Sequence, residues 1–238
     1  MSFLDWVHLE NFPYLTCSLV LFLVFCVVFL IEKKHRMLLL FGALGSTAFS
    51  LSSPVFVPEY WNPVRVACFL VGPEDLIFSF ANGGMIWFLA TWPFRKRLDT
   101  SFAGIVFAKN FLLCTLVGIA IMIPGVLADF GPMSNCLVGM VIMGCALLFL
   151  KPQFWGVAVT GALSFTCLYA ATILFVSGSF PDFSSQWTHE NLWGPTLLNL
   201  PIEEYAWALG FGAVFPLILA VSANVRLLPR RPSTKATS

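Results

Sequence analysis

Hydrophobic residues of this chain occur in seven long runs separated by short polar segments. The runs cover residues 14–31, 37–52, 64–92, 102–123, 134–150, 153–176 and 196–224. Each run approaches or exceeds the roughly 20 residues that an α-helix needs to cross a hydrocarbon core of about 30 Å. The pattern therefore predicts a bundle of seven transmembrane helices without a separate aqueous domain.

The composition indicates a membrane location and excludes several other classes of protein. Of the 238 residues, 58% are hydrophobic and only 11% are charged, whereas a soluble domain has about 25% charged residues. A water-soluble enzyme, a disordered chain and a basic nucleic-acid binder are therefore excluded, and no nucleic-acid partner is expected. We expect an all-α, multi-pass integral membrane protein of the cell membrane, in contact with lipid.

Basic residues are concentrated in the segments that would lie at one end of this bundle. Eleven of the 13 Lys and Arg residues follow runs one, three, five or seven: Lys33, Lys34, Arg36, Arg95, Lys96, Arg97, Lys151, Arg226, Arg230, Arg231 and Lys235. Basic loops remain on the cytoplasmic side of a membrane. The charge pattern therefore predicts an outside N-terminus, a cytoplasmic C-terminus and an odd number of spans.

Two segments of the chain share a short pattern and indicate an internal repeat. They are Gly72-Pro73-Glu74-Asp75-Leu76-Ile77-Phe78 and Leu200-Pro201-Ile202-Glu203-Glu204-Tyr205-Ala206-Trp207. Each has a proline, then two adjacent carboxylates, then an aromatic residue three positions after the second acid. Because four spans separate the segments, both enter the membrane in the same direction. The chain is thus predicted as a 3+1+3 parallel repeat. Its parts are a first three-helix repeat (1–97), a linking helix (98–128), a second three-helix repeat (129–225) and a basic cytoplasmic tail (226–238).

The two acid doublets, Glu74 with Asp75 and Glu203 with Glu204, are the candidate catalytic residues. One charged side chain at the centre of a spanning helix costs about 2.5 to 3.5 kcal/mol. That cost falls if the acids converge on one interior cavity, where burial and mutual repulsion keep some of them protonated and able to donate a proton. A structural alternative also stands, in which the acids pair with basic residues or cap helix starts that follow a proline.

The helical spacing around the doublets defines the candidate substrate-binding residues. Glu74, Phe78 and Asn82 are separated by four residues each, and so are Glu203, Trp207 and Phe211, so each acid shares a helix face with aromatic rings. Tyr205 lies beside the second doublet and completes the expected set. A carboxyl can start a carbocation, and ring faces can stabilise it by cation–π attraction. The prolines are expected to kink the helices and open a cavity.

Among the remaining intramembrane residues, two basic side chains and one glycine pair need an interpretation. Arg65 is expected to extend outward to the interface rather than pair with Glu59, and Lys109 to reach the cytoplasmic interface. Gly210-Phe211-Gly212 lacks the strand and third glycine of a dinucleotide fingerprint, so it predicts close helix packing. The three histidines lie in or beside loops on different sides of the membrane, and no metal site and no cofactor are expected.

The doublet motifs resemble those of the lycopene cyclase domain family, the small membrane-integral type found as two subunits or as one fused chain. That family has a Pro-x-Glu-Glu or Pro-x-Glu-Asp motif in each half. The segment Leu200 to Tyr205 matches the motif in full, whereas Gly72 to Asp75 lacks the residue between the proline and the acids. The resemblance covers the architecture of the whole chain, but it is specific over only about 20 residues.

The resemblance implies an isomerase, an intramolecular lyase of the type that uses no flavin. Its reaction is the redox-neutral cyclisation of a linear polyene end group, with protonation of a terminal double bond, ring closure through a carbocation and loss of a different proton. The substrate would be an apolar, lycopene-like polyene or isoprenoid that enters from the bilayer. Glu74, Asp75, Glu203 and Glu204 would supply the acid and the base, with either Glu74 or Glu203 as the proton donor.

Two other functions remain open at the level of the sequence. They are a proton-coupled transporter of small solutes and a non-catalytic membrane partner of lipid or terpenoid enzymes. A transporter needs polar groups along a water path between both faces of the membrane, whereas these acids concentrate toward one end. Magnesium bound by the acids, bridging a prenyl diphosphate, is a third alternative. The sequence does not decide between a monomer and a homo-oligomer.

Overall fold

Eight α-helices form the framework of the computed structural model, which describes residues 11–67, 69–100 and 102–229. They are α1 (Pro13–Ile31), α2 (Arg36–Thr47), α3 (Ser53–Phe56), α4 (Pro73–Thr91), α5 (Gly104–Leu127), α6 (Pro132–Leu150), α7 (Trp155–Ser179) and α8 (Ile202–Ser222). Four two-residue strands accompany them: β1 (Leu98–Asp99), β2 (Thr196–Leu197), β3 (Leu200–Pro201) and β4 (Arg226–Leu227). The last residues of the predicted basic tail, including Arg230, Arg231 and Lys235, lie outside the described residues.

Within the described part of the chain, six helical stretches are long and apolar enough to cross a membrane. They are Pro13–Ile31, Arg36–Phe56, Gly104–Leu127, Pro132–Leu150, Pro152–Ser179 and Ile202–Ser222. In the second stretch, the 3₁₀-helix Ala48–Ser52 joins α2 to α3. The chain is therefore a multi-pass integral membrane protein with an all-α fold, which confirms this part of the sequence prediction.

Helix α4 differs from these six because protein surrounds it. It has 19 residues, but Glu74, Asp75 and Asn82 make it less apolar. It packs against α1, α2, α7 and α8, and all its residues from 81 to 87 are buried. Polar side chains are tolerated in a membrane bundle where they face its interior, so the central position of α4 explains its composition.

Glycines allow α4 and α8 to approach a neighbouring helix closely, and they do so at equivalent positions. A Cβ added to Gly83 would lie 2.6 Å from the carbonyl oxygen of Gly42 on α2. A Cβ added to Gly212 would lie 2.6 Å from the carbonyl oxygen of Gly161 on α7. Each of these two glycines comes nine residues after the first acid of its doublet. The close packing predicted for Gly212 is thereby confirmed.

Helices α4 and α8 run in the same direction, because contacts join them at both ends. Near their N-termini, the rings of Phe78 and Trp207 stack with centroids 6.2 Å apart. Beyond their C-termini, β1 pairs antiparallel with β4, with Leu98 opposite Leu227. The two acid doublets consequently lie at the same end of the bundle.

Basic connections gather at the opposite end. Arg95 forms an ion pair with Glu32 at 3.4 Å, and the Lys34 ammonium donates to the carbonyl oxygen of Leu98 at 3.4 Å. The Arg97 guanidinium donates to the carbonyl oxygen of Leu228 at 2.7 Å. The segments that follow α1, α4 and α8 therefore meet at the end away from the acids.

The helices that carry the doublets begin later than the hydrophobic runs predicted. Residues 64–67 and 69–72 are not helical, and residues 196–201 form the β2–β3 hairpin, whose turn residues Leu198 and Asn199 have φ angles of 53° and 63°. Proline fits the first turn of a helix because it has no N–H to lose. Pro73 accordingly begins α4 and Pro201 caps α8, so the predicted proline kinks are wrong. Glu74, which the run 64–92 would place about ten residues inside a span, instead lies in the first turn of α4.

Candidate functional site

All four acids of the two doublets are buried in the first turn of their helices. Their exposed fractions are 0% for Glu74, 4% for Asp75, 1% for Glu203 and 7% for Glu204. The partial positive charge of a helix N-terminus stabilises a carboxylate in this position. The acids therefore cost the fold less here than they would at a helix centre.

Asp75 has partners on both of its carboxyl oxygens. The Tyr14 hydroxyl donates to Oδ1 at 3.0 Å, and the backbone N–H of Gly72 donates to Oδ2 at 2.8 Å. The Arg65 guanidinium forms an ion pair with Oδ2 at 3.0 Å. Asp75 thus caps α4 and binds Arg65, as the structural alternative for the acids proposed.

Arg65 does not extend outward to the interface, so that expectation was wrong. Its side chain is only 12% exposed. Besides Asp75, it donates to the Ser53 hydroxyl at 2.8 Å and to the carbonyl oxygens of Phe69 and Leu70 at 3.0 and 3.2 Å. A guanidinium has five N–H donors and can satisfy all these acceptors at once. Arg65 therefore fastens the segment before α4 to the start of that helix.

Glu204 accepts hydrogen bonds from three side chains that belong to different parts of the chain. The Tyr60 hydroxyl and the Trp187 indole N–H donate to Oε1, both at 2.9 Å. The Tyr169 hydroxyl of α7 donates to Oε2 at 2.5 Å. Burial raises the pKa of the Tyr60 phenol well above its ordinary value, and the charge of Glu204 raises it further, so this phenol keeps its proton.

The first acid of each doublet has fewer partners than the second. Neither carboxyl oxygen of Glu74 has a hydrogen-bond partner among the described residues, although both are buried. Glu203 accepts a hydrogen bond from the backbone N–H of Trp193 on Oε1, while its buried Oε2 has no partner among the described residues. A buried polar atom without a partner needs an explanation, such as a ligand or a water molecule.

Aromatic rings from both halves of the chain meet about one helical turn beyond the doublets, toward the middle of the helices. This ring cluster consists of Phe78, Phe165, Tyr169, Trp207 and Phe211. Trp207 lies 5.2 Å from Tyr169, 5.2 Å from Phe211 and 6.1 Å from Phe165, measured between ring centroids. Phe78, Trp207 and Phe211 are only partly buried. The cluster therefore combines a contact between the two repeats with ring surface that remains accessible.

The other two predicted substrate-binding residues have different surroundings. Asn82 is 1% exposed, and neither its side-chain nitrogen nor its oxygen has a partner among the described residues. Tyr205 donates a hydrogen bond to the carbonyl oxygen of Leu197 at 3.0 Å. This hydrogen bond links the start of α8 to the β2–β3 hairpin. The Tyr205 hydroxyl therefore has a structural partner outside the ring cluster.

Sequence reasoning missed the side chains that hold the second acids: Tyr14, Tyr60, Tyr169 and Trp187. Neither the hydrophobic pattern nor the acid motifs gave these four residues a role. A signal was available in the composition, since the chain has four tyrosines and three of them donate to acids of the doublets. Buried tyrosine hydroxyls usually find a hydrogen-bond partner.

The acids line neither of two surface hollows at this end of the bundle. A hollow of about 420 Å³ borders Pro13, Val64 and Phe183, and one of about 250 Å³ borders His189 and Pro201. Neither hollow is the interior cavity that proline kinks were expected to open beside the acids. Within residues 11–67, 69–100 and 102–229, no group of three or more His, Cys, Asp or Glu residues is arranged to hold a metal ion.

Comparisons of the chain with protein-family models, curated proteins and solved structures give no match. The resemblance to the lycopene cyclase domain family therefore depends on the motif residues.

Proposed function

We propose that the protein is a membrane-embedded cyclase that acts on the end group of a linear polyene or isoprenoid. The reaction class is the one that the resemblance to lycopene cyclases implies. One observation carries the proposal: the first acid of each doublet has a buried, unpaired carboxyl oxygen one helical turn before a ring of the shared cluster. A proton donor and a stabiliser of positive charge thus occur together.

The proposed reaction begins with a proton on Glu74 or Glu203. Their buried carboxyl oxygens without a hydrogen-bond partner among the described residues are the atoms that would carry this proton. The carboxyl transfers its proton to the terminal double bond of the substrate, and the resulting carbocation is attacked by a second double bond of the same chain to close the ring. A carboxylate then removes a different proton. The product is an isomer of the substrate, and no electron acceptor is consumed.

The ring cluster and the second acids have supporting roles in this proposal. The faces of Phe78, Trp207 and Phe211 stabilise the carbocation by cation–π attraction. Asp75 and Glu204, with their tyrosine partners, hold the first turns of α4 and α8 so that the first acids stay beside the rings. Because the rings are partly exposed, an apolar substrate reaches them from the bilayer.

We also propose that α4 is a seventh span and that the chain is a 3+1+3 parallel repeat. The parallel course of α4 and α8 and the equivalent positions of Gly83 and Gly212 support the repeat. The basic end then faces the cytoplasm and the N-terminus lies outside, by the positive-inside rule. The acids consequently lie toward the outer face of the cell membrane.

Expression in a host that accumulates lycopene, followed by extraction of pigments, tests the proposed function. We expect the wild-type protein to convert lycopene into a ring-bearing isomer, and Glu74→Gln and Glu203→Gln each to reduce conversion at least 100-fold, since general acid catalysis contributes about 10²- to 10⁴-fold. An amide keeps the shape of the side chain but delivers no proton. Asp129→Asn, an exposed acid in the α5–α6 connection, is the matched control and should leave conversion unchanged.

Thermal unfolding in detergent shows whether each variant is folded. Unchanged lycopene in cells that contain folded wild-type protein would count against lycopene as substrate. Full conversion by both Gln variants would refute the assignment of the acids.

A further inference from the structure

Asn82 has an unexplained amide in the middle of the central helix. Its side chain is 1% exposed, and its Nδ2 and Oδ1 both lack a partner among the described residues. An unsatisfied buried amide destabilises a folded protein, because it gives up its hydrogen bonds to water and gains none in return. A leucine would fill this position without that cost, so the amide indicates a polar ligand that the folded chain receives there.

The position of Asn82 relates it to the candidate acid and to the rings. It follows Glu74 by eight residues on the same face of α4, which places it about 12 Å further along the helix at 1.5 Å per residue. Phe78 lies between them and stacks on Trp207 of α8. A linear substrate with its reactive end at Glu74 would therefore reach Asn82 after passing Phe78.

Helix α8 has an aromatic ring where α4 has this amide. Counting from the first acid of each doublet, Phe211 is the equivalent of Asn82. Phe211 stacks on Trp207 at 5.2 Å and on Phe215 at 4.9 Å, so α8 offers a continuous ladder of rings. At this equivalent position, α8 has an apolar ring whereas α4 has a polar amide.

We propose that Asn82 binds a hydroxyl group, so that the site accepts linear isoprenoid alcohols and binds them more tightly than hydrocarbons of the same length. A hydroxyl both donates and accepts, so one such group satisfies the Nδ2 donor and the Oδ1 acceptor together. Its oxygen would lie about 12 Å from the double bond that is protonated. This assignment rests on the cyclase proposed above and adds the chemical class of its substrate.

Trp87 has the other unpartnered side-chain atom in this part of α4, its indole nitrogen. It comes five residues after Asn82, which turns it about 140° around the helix axis. Trp87 therefore does not share the face that carries Glu74, Phe78 and Asn82, and it is not part of the proposed hydroxyl site.

Binding of two 15-carbon probes to purified protein in detergent tests the assignment. Farnesol has a hydroxyl at one end and a terminal double bond at the other, and farnesene is a hydrocarbon of the same carbon number. The double variant Glu74→Gln/Glu203→Gln is used as the binding protein, so that the probes are not consumed. We expect it to retain farnesol about tenfold better than farnesene, measured by gas chromatography after washing and extraction.

Substitutions at Asn82, made in that binding protein, assign the preference to the residue. Asn82→Leu should lower the farnesol-to-farnesene ratio to about one while farnesene retention stays the same. Asn82→Ser keeps a donor and an acceptor and should preserve most of the preference. Asn110→Leu is the matched control, since Asn110 is an intramembrane amide of α5 that binds the Ser222 carbonyl oxygen at 3.4 Å, and it should preserve the tenfold ratio.

Two outcomes overturn the hydroxyl site: equal retention of both probes by the binding protein, and an unchanged ratio in folded Asn82→Leu. If Asn82→Leu does not fold, Asn82→Ala takes its place, and an unchanged ratio in folded Asn82→Ala overturns the site as well. Failure of the cyclase proposal is a separate result, since the wild-type protein would then form no ring-bearing product from any probe while the binding ratio persists.

Discussion

Tyr14, Tyr60 and Tyr169 donate hydrogen bonds to the second acid of a doublet, whereas the first acids have few partners. The two members of a doublet are adjacent in sequence, but helical geometry turns their side chains about 100° apart. One member can therefore be held by neighbouring elements while the other keeps carboxyl oxygens without a partner among the described residues. This division of roles explains why the motif contains two acids rather than one.

Removing the Tyr169 hydroxyl tests how far the fold depends on these contacts. Tyr169→Phe keeps the ring contact with Trp207 but removes one of three donors to the buried Glu204 carboxyl, which should destabilise the protein by about 1 to 3 kcal/mol. Tyr205→Phe is the control, because its hydroxyl bonds a loop carbonyl at an exposed site. Thermal unfolding in detergent compares them, and equal midpoints would show that the Tyr169 contact contributes nothing.

Arg65 and Asp75 form a buried ion pair whose partners cannot be removed singly without a large effect. Arg65→Gln leaves the Asp75 carboxylate without its counter-ion, and such a loss costs about 3 to 5 kcal/mol. Asp75→Asn in the same chain removes the stranded charge and should restore part of the stability. Chemical unfolding of the two single variants and the double variant measures the coupling, and strictly additive effects would contradict it.

At the level of helices, the sequence predicted the runs well and their beginnings poorly. Hydropathy locates a span because a run of about 20 apolar residues is a strong signal. The described helices accordingly fall within or close to the predicted runs. It does not separate a helix from apolar residues that precede it. Residues 64–72 and the β2–β3 hairpin were therefore assigned to spans, although Pro73 and Pro201 mark where the helices α4 and α8 begin.

Helices α4 and α8 pack so closely at Gly83 and Gly212 that a larger side chain should destabilise the protein. Gly83→Ala and Gly212→Ala would each place a methyl group within 2.6 Å of a carbonyl oxygen on the adjacent helix, and overpacking of this kind typically costs about 1 to 3 kcal/mol. Gly118→Ala in α5 meets nothing within 4 Å and should be neutral or slightly stabilising. Unfolding midpoints in detergent decide, and a destabilised Gly118→Ala would point to a general effect of alanine instead.

For the whole molecule, the sequence predicted a repeat but not how its halves are joined. The doublets, their spacing and the basic segments can be identified from the sequence alone. The contacts of Glu204 were not, since Tyr60, Tyr169 and Trp187 belong to three separate parts of the chain that only the folded bundle brings together. The same holds for Arg65, whose partner depends on how the segment before α4 folds back.

Reporter fusions test the proposed orientation of the bundle. A fluorescent protein fused to the C-terminus should be bright, because the basic end is expected to face the cytoplasm. Alkaline phosphatase inserted at Asp129 should be active, since that connection is expected outside. Phosphatase inserted at Lys151, which should be inactive, is the control. The reverse pattern at both sites would invert the topology.

The β1–β4 ladder has a consequence for the continuity of the chain. Together with the Phe78–Trp207 stack, it joins α4 to α8 at both ends of the bundle. These two helices belong to opposite sides of the α5–α6 connection. The connection through Asp129 and Gly131 is exposed. The segments before and after it contact each other without needing this covalent link. A gene cut there should yield two polypeptides, 1–129 and 130–238, that copurify when produced in one cell.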